Sequence, residues 1–530
     1  MLCPHGAKQS SVLIRVSPPT AASVVAVLIL ACLSTTCTGI ARQTSEVPTD
    51  PVILRVGFPQ LTGQDPLRGM QQASRFLSFE GLVTNSADGS ARPRLAESWS
   101  VSPDGLRWTF RLRSDAKFHD GSPVDAASVK RSLDESLTSL SDRSQAPGIE
   151  DIASIEAVSQ RELVIALHNP STFLLGDLSM AISKQLSGGT RIGTGPFIVK
   201  ENLTNEIAMS SFDDYYQGAP QVRQIVWKPY PALRTAWAGM MRGEIDFLYE
   251  VGQDAVEFVQ GESSVNTFSF LRPYVFGVVF NSSRDPLKNQ KIRQALNFGV
   301  DRQLLLNQAL KGHGVVANSP VRPGHWAYDP TVVGYTYDPA RAAAILNTFS
   351  KVSRRIPIYQ GAGGPARFHF TCLLPENFAT WERMALFVQK QLFEIGVDMK
   401  LEALPSDEFN RRIAQGQFDA AVLEFNGFSM SRPYVYWHSG GALNSFGYSD
   451  ASVDEALDAI RRARDDAQHR AAVRRLQQAM IADPPAIFLA WGQTARAVSR
   501  RFHVTASTDS DILSSVSSWQ LAGTNMKGTN

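Results

Sequence analysis

Residues 95–121 read LAESWSVSPDGLRWTFRLRSDAKFHDG, and this stretch decides the local fold. Pro103-Asp104-Gly105 is a turn signal, because Asp and Gly tolerate the positive φ of a tight hairpin turn. From Trp108 to Arg113 apolar and polar residues alternate, which places the apolar ones on one face. Asp120-Gly121 marks a second turn. The period of two predicts an antiparallel sheet with one buried and one solvated face.

Outside this stretch, signals for strands and helices are mixed along the chain. Residues 53–58 (ILRVGF) predict a buried strand that ends at Pro59, whereas residues 381–395 carry apolar side chains on one helical face. The chain has 530 residues, and a single core stops growing at roughly 250–300 residues. We therefore predict an α/β (mixed α+β) fold with two lobes and a cleft between them.

The composition excludes several classes of protein. Hydrophobic residues make up 43% and charged residues 19% of the chain, which is ordinary for a globular domain. The net charge is only +2, and no run of Lys and Arg with interleaved aromatics occurs, so we expect no nucleic-acid partner. Three of the four cysteines precede residue 38, which excludes a fold stapled by disulfides.

The N-terminus predicts export. The apolar run Ala21–Leu33 follows a flank whose charges are Lys8 and Arg15, and it is too short for a bilayer-spanning helix, which needs roughly 20 residues. We predict a signal peptide over residues 1–36 and a flexible tether over residues 37–51. A buried helix and a retained membrane anchor are the alternatives. Cys32 and Cys37 are candidate lipidation sites, so we expect a periplasmic protein or a lipoprotein on the outer face of the cell membrane.

The sequence contains none of the catalytic motifs searched for. GxSxG, HExxH and GxxxxGKS patterns are missing, and no two of the nine histidines are spaced i, i+3 or i, i+4. His119-Asp120 falls in a predicted turn, where a structural role is the simpler interpretation. We therefore predict a binding protein rather than an enzyme, with no cofactor and no bound metal.

A series of short blocks occurs in a fixed order along the chain. After residues 95–121 come Gly193–Phe197, Asp213–Pro220, Gly243–Asp246, Phe280-Asn281, Ile292–Leu296, Asp301-Arg302, Tyr337–Ala342 and Gly416–Asp419. Each block is weak alone, but together they resemble the family 5 extracellular solute-binding proteins, the dipeptide, oligopeptide and nickel binders of ABC importers. The resemblance covers roughly residues 53–500.

The resemblance implies an architecture of three parts. The first lobe would comprise residues 52–83, 190–272 and 493–530, a small insert residues 84–189, and the second lobe residues 273–492. Ligand would bind between the lobes, which close around it by hinge motion. The implied function is that of a monomeric protein that captures a peptide or another small solute and delivers it to a membrane permease with its ATPase.

The resemblance also implies which residues line the cleft. One family segment matches Glu80-Gly81-Leu82, another matches Gly427-Phe428-Ser429 with Ser431 and Arg432, and we add Tyr274 and Trp491 as lining residues. In peptide binders of the family an Asp at the place of Ser431 pairs with the peptide's free amino group. A neutral hydroxyl cannot replace a carboxylate as the partner of an ammonium, and a charge-assisted hydrogen bond is roughly twice as strong as a neutral one. The resemblance therefore implies an anionic or neutral ligand, if Arg432 faces the cleft.

Two other functions stay open at this point. The chain could be an exported hydrolase whose carboxylates come together across the lobes, or a sensor that uses the same fold without an importer. Mass spectrometry of small molecules that co-purify from the native host would favour a binding protein. Turnover of a chromogenic ester or glycoside, lost on mutation of cleft carboxylates, would favour the hydrolase.

The residue at position 431 provides a first test. If the cleft is built like that of a peptide binder, Ser431→Asp is expected to improve the binding of free-amine peptides, because it restores a charged partner for the ammonium. Calorimetric titration measures the change, and an unaltered affinity would contradict this placement of Ser431.

Overall fold

A computed structural model of the chain describes residues 51–60, 65–138, 146–202, 205–350, 360–361, 364–365, 368–505 and 510–523. The predicted signal peptide, the tether up to residue 50, and both candidate lipidation sites, Cys32 and Cys37, lie outside these residues. Among the helices described, none is both long and apolar enough to cross a bilayer.

Strands and helices alternate along the chain. The strands are β1 (Ile53–Pro59), β2 (Val83–Asn85), β3 (Ala91–Pro93), β4 (Ala96–Val101), β5 (Arg107–Leu112), β6 (Ile152–Ala157), β7 (Glu162–Leu167), β8 (Lys184–Gln185), β9 (Arg191–Ile192), β10 (Phe197–Asn202), β11 (Ile207–Ser211), β12 (Gln224–Tyr230), β13 (Phe247–Val251), β14 (Val265–Phe280), β15 (Gly314–Val316), β16 (Gln360–Gly361), β17 (Gly364–Pro365), β18 (Phe368–Pro375), β19 (Val397–Leu404), β20 (Ala420–Asn426), β21 (Ala486–Ser499), β22 (Phe502–His503) and β23 (Gln520–Leu521). The α-helices are α1 (Pro66–Ser78), α2 (Ala126–Thr138), α3 (Pro147–Glu150), α4 (Phe173–Asp177), α5 (Leu233–Met241), α6 (Val256–Gln260), α7 (Gln290–Phe298), α8 (Arg302–Ala309), α9 (Pro339–Ser350), α10 (Ala379–Glu394), α11 (Ser406–Ala414), α12 (Ser431–Trp437), α13 (Ala451–Arg461) and α14 (Asp466–Ala482). The prediction of a mixed α/β fold is confirmed.

The hairpin predicted from residues 95–121 forms as β4 and β5. The two strands pair antiparallel, with Trp99 opposite Phe110. Trp108, Phe110 and Leu112 are buried, whereas the residues between them point to the more solvated face. These strands belong to a four-stranded sheet in the order β4-β5-β7-β6, and α2 packs into the same core. The small insert therefore has a hydrophobic core of its own.

The main sheet has eleven strands and extends through both predicted lobes. Its order is β10-β11-β12-β1-β13-β21-β14-β20-β18-β19, with β15 added beside β21. β1 pairs parallel with β12 and β13, and β18 pairs parallel with β19 and β20. The remaining pairs named in this sheet are antiparallel. The two predicted lobes thus share one mixed sheet.

β14 and β21 connect the two halves of this sheet. They are 16 and 14 residues long and pair antiparallel, but their register shifts between Leu271 and Val275 and again between Phe276 and Gly277. Irregular pairing interrupts the ladder of hydrogen bonds locally and bends the strands. The lobe boundaries predicted at residues 272/273 and 492/493 fall at the first shift, because Leu271 lies opposite Gln493 and Val275 opposite Trp491.

Two hydrophobic cores cover the two faces of the sheet in the second lobe. Val278 and Phe280 of β14 belong to one core, together with α10, whereas Val275 and Val279 belong to the other, together with α12, α13 and α14. This alternation follows from the period of two along a strand. One residue crosses the predicted boundaries, since Phe173 of the small insert lies in the second of these cores.

Candidate ligand-binding site

The turn that follows β20 packs against Trp491. The Gly427 amide donates to the Pro273 carbonyl at 2.8 Å, which ties the turn to the irregular part of β14. A Cβ atom at position 427 would lie 2.4 Å from Cη2 of Trp491, so the close approach requires glycine. Trp491 is fully buried, and its indole Nε1 has no acceptor among the described residues. The structure thus brings these two predicted lining residues together, with Trp491 as a buried wall.

Ser431 is fully buried and meets a carboxylate from the small insert. Its hydroxyl donates to Oδ1 of Asp177 at 2.8 Å, and Oγ of Ser429 lies 2.7 Å from Oγ of Ser431. Oδ2 of Asp177 accepts from the Gly148 amide at 2.7 Å. Position 431 carries no acid, but the fold places one beside it from another part of the chain.

Ionising the Asp177 carboxyl costs free energy, because this group is buried. Burial raises the pKa of Asp177 to about 6, although its hydrogen bonds from Gly148 and Ser431 and the charges of Arg432 and Arg461 act in the opposite direction. A carboxyl with this pKa changes charge near neutral pH. The junction between the small insert and the second lobe therefore contains an acid whose charge depends on the conditions.

The contact with Asp177 changes the outcome expected for Ser431→Asp. A carboxylate at position 431 would stand within hydrogen-bond distance of Asp177, and two such groups cannot both ionise without strong repulsion. The substitution would therefore disturb this junction instead of simply supplying a partner for an ammonium. The free-amine prediction made from the sequence needs this correction.

Residues 177–179 join the two segments that the sequence assigned to the cleft. Asp177 contacts Ser431, while the Leu178 carbonyl accepts from the Leu82 amide at 3.1 Å. A Cβ atom at Gly81 would lie 2.7 Å from the Leu178 and Ser179 carbonyl oxygens, so this residue also packs against the segment. The loop after α4 is thus the place where the two predicted segments meet.

Glu80 forms an internal cross-link and does not present a free carboxylate. Oε1 accepts from the hydroxyls of Tyr215 at 2.9 Å and Tyr216 at 3.0 Å, and Oε2 accepts from Thr194 at 3.0 Å. Nε of Arg94 lies 3.4 Å from Oε1. Burial raises the pKa of Glu80, and Arg94 is the main group that opposes this shift. Glu80 was predicted to line the cleft, but in this structure its carboxylate is occupied by these internal contacts.

Arg432 lies at the same junction as Asp177, together with two tyrosines. It is half-buried, and its charge acts on both Asp177 and Tyr436. Burial is the main cause of the raised pKa of Tyr436; Arg432 opposes the shift, and Tyr274 adds to it. Phe428 is the most accessible of the predicted residues, with 43% of its surface exposed.

Asp177 is the residue that sequence reasoning missed. It is 254 positions away from Ser431 in the chain, and it ends a helix of only five residues. The stretch STFLLGDLSM around it carries no motif that marks a binding residue. Only the packing of the small insert against the second lobe reveals the contact.

Other candidate sites are weak. In the described part of the chain, no group of three or more His, Cys, Asp or Glu residues could hold a metal ion. Two surface depressions of about 230 and 580 Å³ are lined mainly by residues 217–221 with 517–520 and by residues 266–268 with 500–504. Neither depression contains any of the predicted ligand-binding residues.

Neutralising Asp177 tests its raised pKa. The carboxyl has a pKa near 3.8 when exposed and about 6 here, so its contribution to folding is favourable below pH 4 and is lost as the pH rises through 6. Asp177→Asn is expected to increase stability at pH 7.5 by at most about 3 kcal/mol, and the gain should shrink toward pH 5. Thermal and urea unfolding across this pH range measure the difference.

Asp115→Asn, at an exposed position of the small insert, is the matched control and should leave the pH profile unchanged. A loss of stability for Asp177→Asn that is greater at pH 7.5 than at pH 5 would contradict the assignment.

Gly427→Ala tests the close packing of the turn on Trp491. The added methyl group would overlap the indole, which must move, so we expect a loss of about 1–3 kcal/mol in the free energy of unfolding. In the double variant Gly427→Ala/Trp491→Phe, a smaller phenyl ring replaces the indole. This change should restore part of the lost free energy of unfolding. Gly252→Ala is the control, since its nearest neighbour would be Leu233 Cδ2 at 3.6 Å. Equal stability of both alanine variants would contradict the packing described.

Comparison with known proteins identifies relatives over most of the chain. The glutathione-binding protein GsiB of Pectobacterium atrosepticum is 26% identical over 479 residues, which cover 85% of this chain and 90% of the relative. The GsiB protein of Salmonella typhimurium is 27% identical over 444 residues, covering 78% of this chain and 83% of the relative.

Solved structures share the fold. NikA from Brucella suis, in complex with Fe(III)-EDTA, is similar with a TM-score of 0.76 at 24% identity, and the match covers 89% of this chain and all of that one. The oligopeptide-binding protein AppA from Bacillus subtilis, in complex with a nonapeptide, gives a TM-score of 0.72 at 22% identity over 89% and 99% of the two chains. At these identities the likeness shows the two-lobed binding-protein fold alone.

A match to a family model shows the protein family to which the chain belongs. The model of the bacterial extracellular solute-binding proteins, family 5, matches residues 90–446, which is more than half of the chain. The resemblance predicted from the ordered sequence blocks is therefore confirmed, and the chain belongs to the family 5 extracellular solute-binding proteins.

Proposed function

We propose that this protein captures a peptide or another small solute between its two lobes and delivers it to the permease and ATPase of an ABC importer. The observation that supports this best is the convergence of both predicted cleft segments on residues 177–179. This convergence lies beside the irregular part of the β14–β21 pair, where the main sheet can bend. A binding site next to a hinge is what capture by lobe closure requires.

The site offers groups of both charges to a solute. Asp177 supplies a carboxylate at Ser431, and Arg432 supplies a guanidinium whose charge reaches the same acid. The missing acid at position 431 therefore no longer argues against a ligand with a free amine. Half-buried Tyr274 and Tyr436 and exposed Phe428 add aromatic surface, which suits a solute with apolar side chains.

The export signal and the fold support a location outside the cytoplasm. We propose that the segment over residues 1–36 directs export, and that the mature chain works as a monomer in the periplasm or as a lipoprotein through Cys32 or Cys37. The family is a class of binding proteins, and no arrangement of side chains described above favours catalysis. We therefore assign the protein no enzymatic activity.

The identity of the solute can be measured directly. The chain is purified from its native host without a refolding step, and small molecules released on denaturation are identified by mass spectrometry. We expect one dominant class of peptide-like or other small solute, which then raises the melting temperature of the ligand-free protein. If no molecule co-purifies, and peptides, sugars and metal chelates all fail to shift the melting temperature, the proposed function is wrong.

Phe428→Ala tests whether the exposed aromatic contacts the solute. Burying this ring against a ligand contributes on the order of 1.5 kcal/mol, so its loss should weaken binding roughly tenfold. Because the ring is 43% exposed in the free protein, the melting temperature without solute should change little. Phe258→Ala, at a ring that is 68% exposed on α6 of the first lobe, is the control and should bind normally. If both variants bind the solute with the same affinity in calorimetry, Phe428 does not contact the solute.

A further inference from the structure

Two buried histidines of the second lobe stack against one tryptophan. The ring centroid of Trp326 lies 5.8 Å from that of His325 and 4.8 Å from that of His469, with interplanar angles of 28° and 29°. The two histidines are only 6% and 8% exposed, respectively. Because a buried charge loses most of its hydration, ionising either imidazole at this place costs free energy.

The hydrogen bonds of both imidazoles fit the neutral ring. Nδ1 of His325 accepts from the Ala327 amide at 3.2 Å, so this nitrogen carries no proton. Nε2 of His469 is buried and has no partner among the described residues. A proton would therefore break the bond to Ala327 in the first ring, and it would leave a buried N–H group without an acceptor in the second.

Positive charge already lies near the two rings. The charge of Arg322 acts on His325, and Cζ of Arg470 lies 5.3 Å from the centroid of the Trp326 ring. A charge on His469 would also act on His325. A further positive charge is therefore disfavoured by its neighbours as well as by burial.

The carboxylates nearby bind other groups or are exposed. Asp88, in the turn between β2 and β3, acts on the first histidine, but it accepts from two serine hydroxyls of that turn and has Arg92 4.0 Å away. Exposed Asp466 acts on the second histidine from the start of α14, and Asp329 is paired with Arg474. In the described part of the chain, no carboxylate forms a hydrogen bond with either imidazole. Burial thus dominates, and it lowers the pKa of both histidines to about 4.

The turn between β2 and β3 of the small insert rests on the same side chains. Its Asp88 carbonyl accepts from the Trp326 amide at 2.9 Å. A Cβ atom at Gly89 would lie 2.4 Å from Cδ2 of His325, so the glycine is needed to bring the backbone this close to the imidazole. The packing of His325 and Trp326 thus also determines where this turn is held.

We infer that His325, Trp326 and His469 form an acid-sensitive support for this turn. A proton on either imidazole weakens the packing of residues 325–327 against α14, and with it the contact to the small insert. The support is complete above about pH 6.5, the pKa of histidine in an unfolded chain, and it weakens as the pH falls toward 4. No solute takes part in this step, so the inference does not depend on the proposed function.

Urea unfolding at pH 7.5 and pH 5.0 compares the parent chain with the variant His325→Asn/His469→Phe. Asn can accept from the Ala327 amide and Phe keeps a ring against Trp326, but neither side chain takes up a proton. Acidification is expected to raise the unfolding equilibrium constant of the parent at least about tenfold more than that of the variant. The reason is that the unfolded parent binds protons that its folded form does not. Asp177 is present in both chains, so its opposite response cancels.

The matched control is His503→Asn, at an exposed position on β22, which should keep the acid response of the parent. The inference is overturned if the double variant responds to acid as strongly as the parent, or if the control loses the response to the same extent as the double variant.

Nuclear magnetic resonance of the parent chain with ¹³C-labelled histidine measures the two rings directly. The single variants His325→Asn and His469→Phe assign their Cε1–H signals. Both signals are expected to keep the chemical shift of the neutral ring from pH 7.5 down to pH 5.5. Titration of both signals with a midpoint near pH 6.5 would contradict the acid-sensitive support, whatever the stability of the variants.

Discussion

The pairing of β14 with β21 is the constraint on which the remaining structure depends. These strands carry the main sheet from the first lobe into the second, and their register shifts at the level where the lobes meet. Continuous hydrogen bonding on both sides of the shift keeps each half rigid, while the irregular segment lacks the regular ladder that would keep it straight. Pro273 and Trp491, at this level, hold the turn that leads to Ser431. The position of the candidate site is thus set by where the ladder is interrupted.

Buried charges fasten helices and loops to this strand pair. Arg302 is buried and donates to the Phe488 carbonyl at 2.7 Å and to Oδ1 of Asn297 at 2.6 Å, which binds α8 to β21. Burial lowers the pKa of Arg302 to about 10. Arg496, also on β21, binds both carboxylate oxygens of Asp511. Removing Asp511 would leave the charge of Arg496 buried without its partner, so this ion pair fixes the segment around Asp511 on β21.

Local rules of sequence recover the elements that form from neighbouring residues. The hairpin over residues 95–121 follows from its turn signals and its period of two. The lobe boundaries were implied by the family resemblance instead, and those at 272/273 and 492/493 lie where the pairing of β14 with β21 is irregular. The resemblance to the family supplied the two segments around Glu80 and Ser431. What it could not supply is which groups fill the space between them. Glu80 meets Tyr215 and Tyr216, and Ser431 meets Asp177, over separations of 135, 136 and 254 residues.

The exchange of an acid for a hydroxyl at position 431 shows why such long-range contacts matter. Judged from the sequence, the neutral Ser431 removes the negative charge from the site; judged from the structure, the charge stands one hydrogen bond away on Asp177. A solute ammonium that reached Asp177 would place a full positive charge beside the carboxylate, and this attraction between opposite charges is absent from the bond with the neutral Ser431 hydroxyl. This gain requires the ionised carboxylate, and burial has raised the pKa of Asp177 to about 6. A solute without a donor would add nothing to the hydrogen bonds that the Gly148 amide and the Ser431 hydroxyl donate to this buried charge. The discrimination between cationic and other solutes therefore depends on how the small insert presents Asp177, and not on the residue type at position 431 alone.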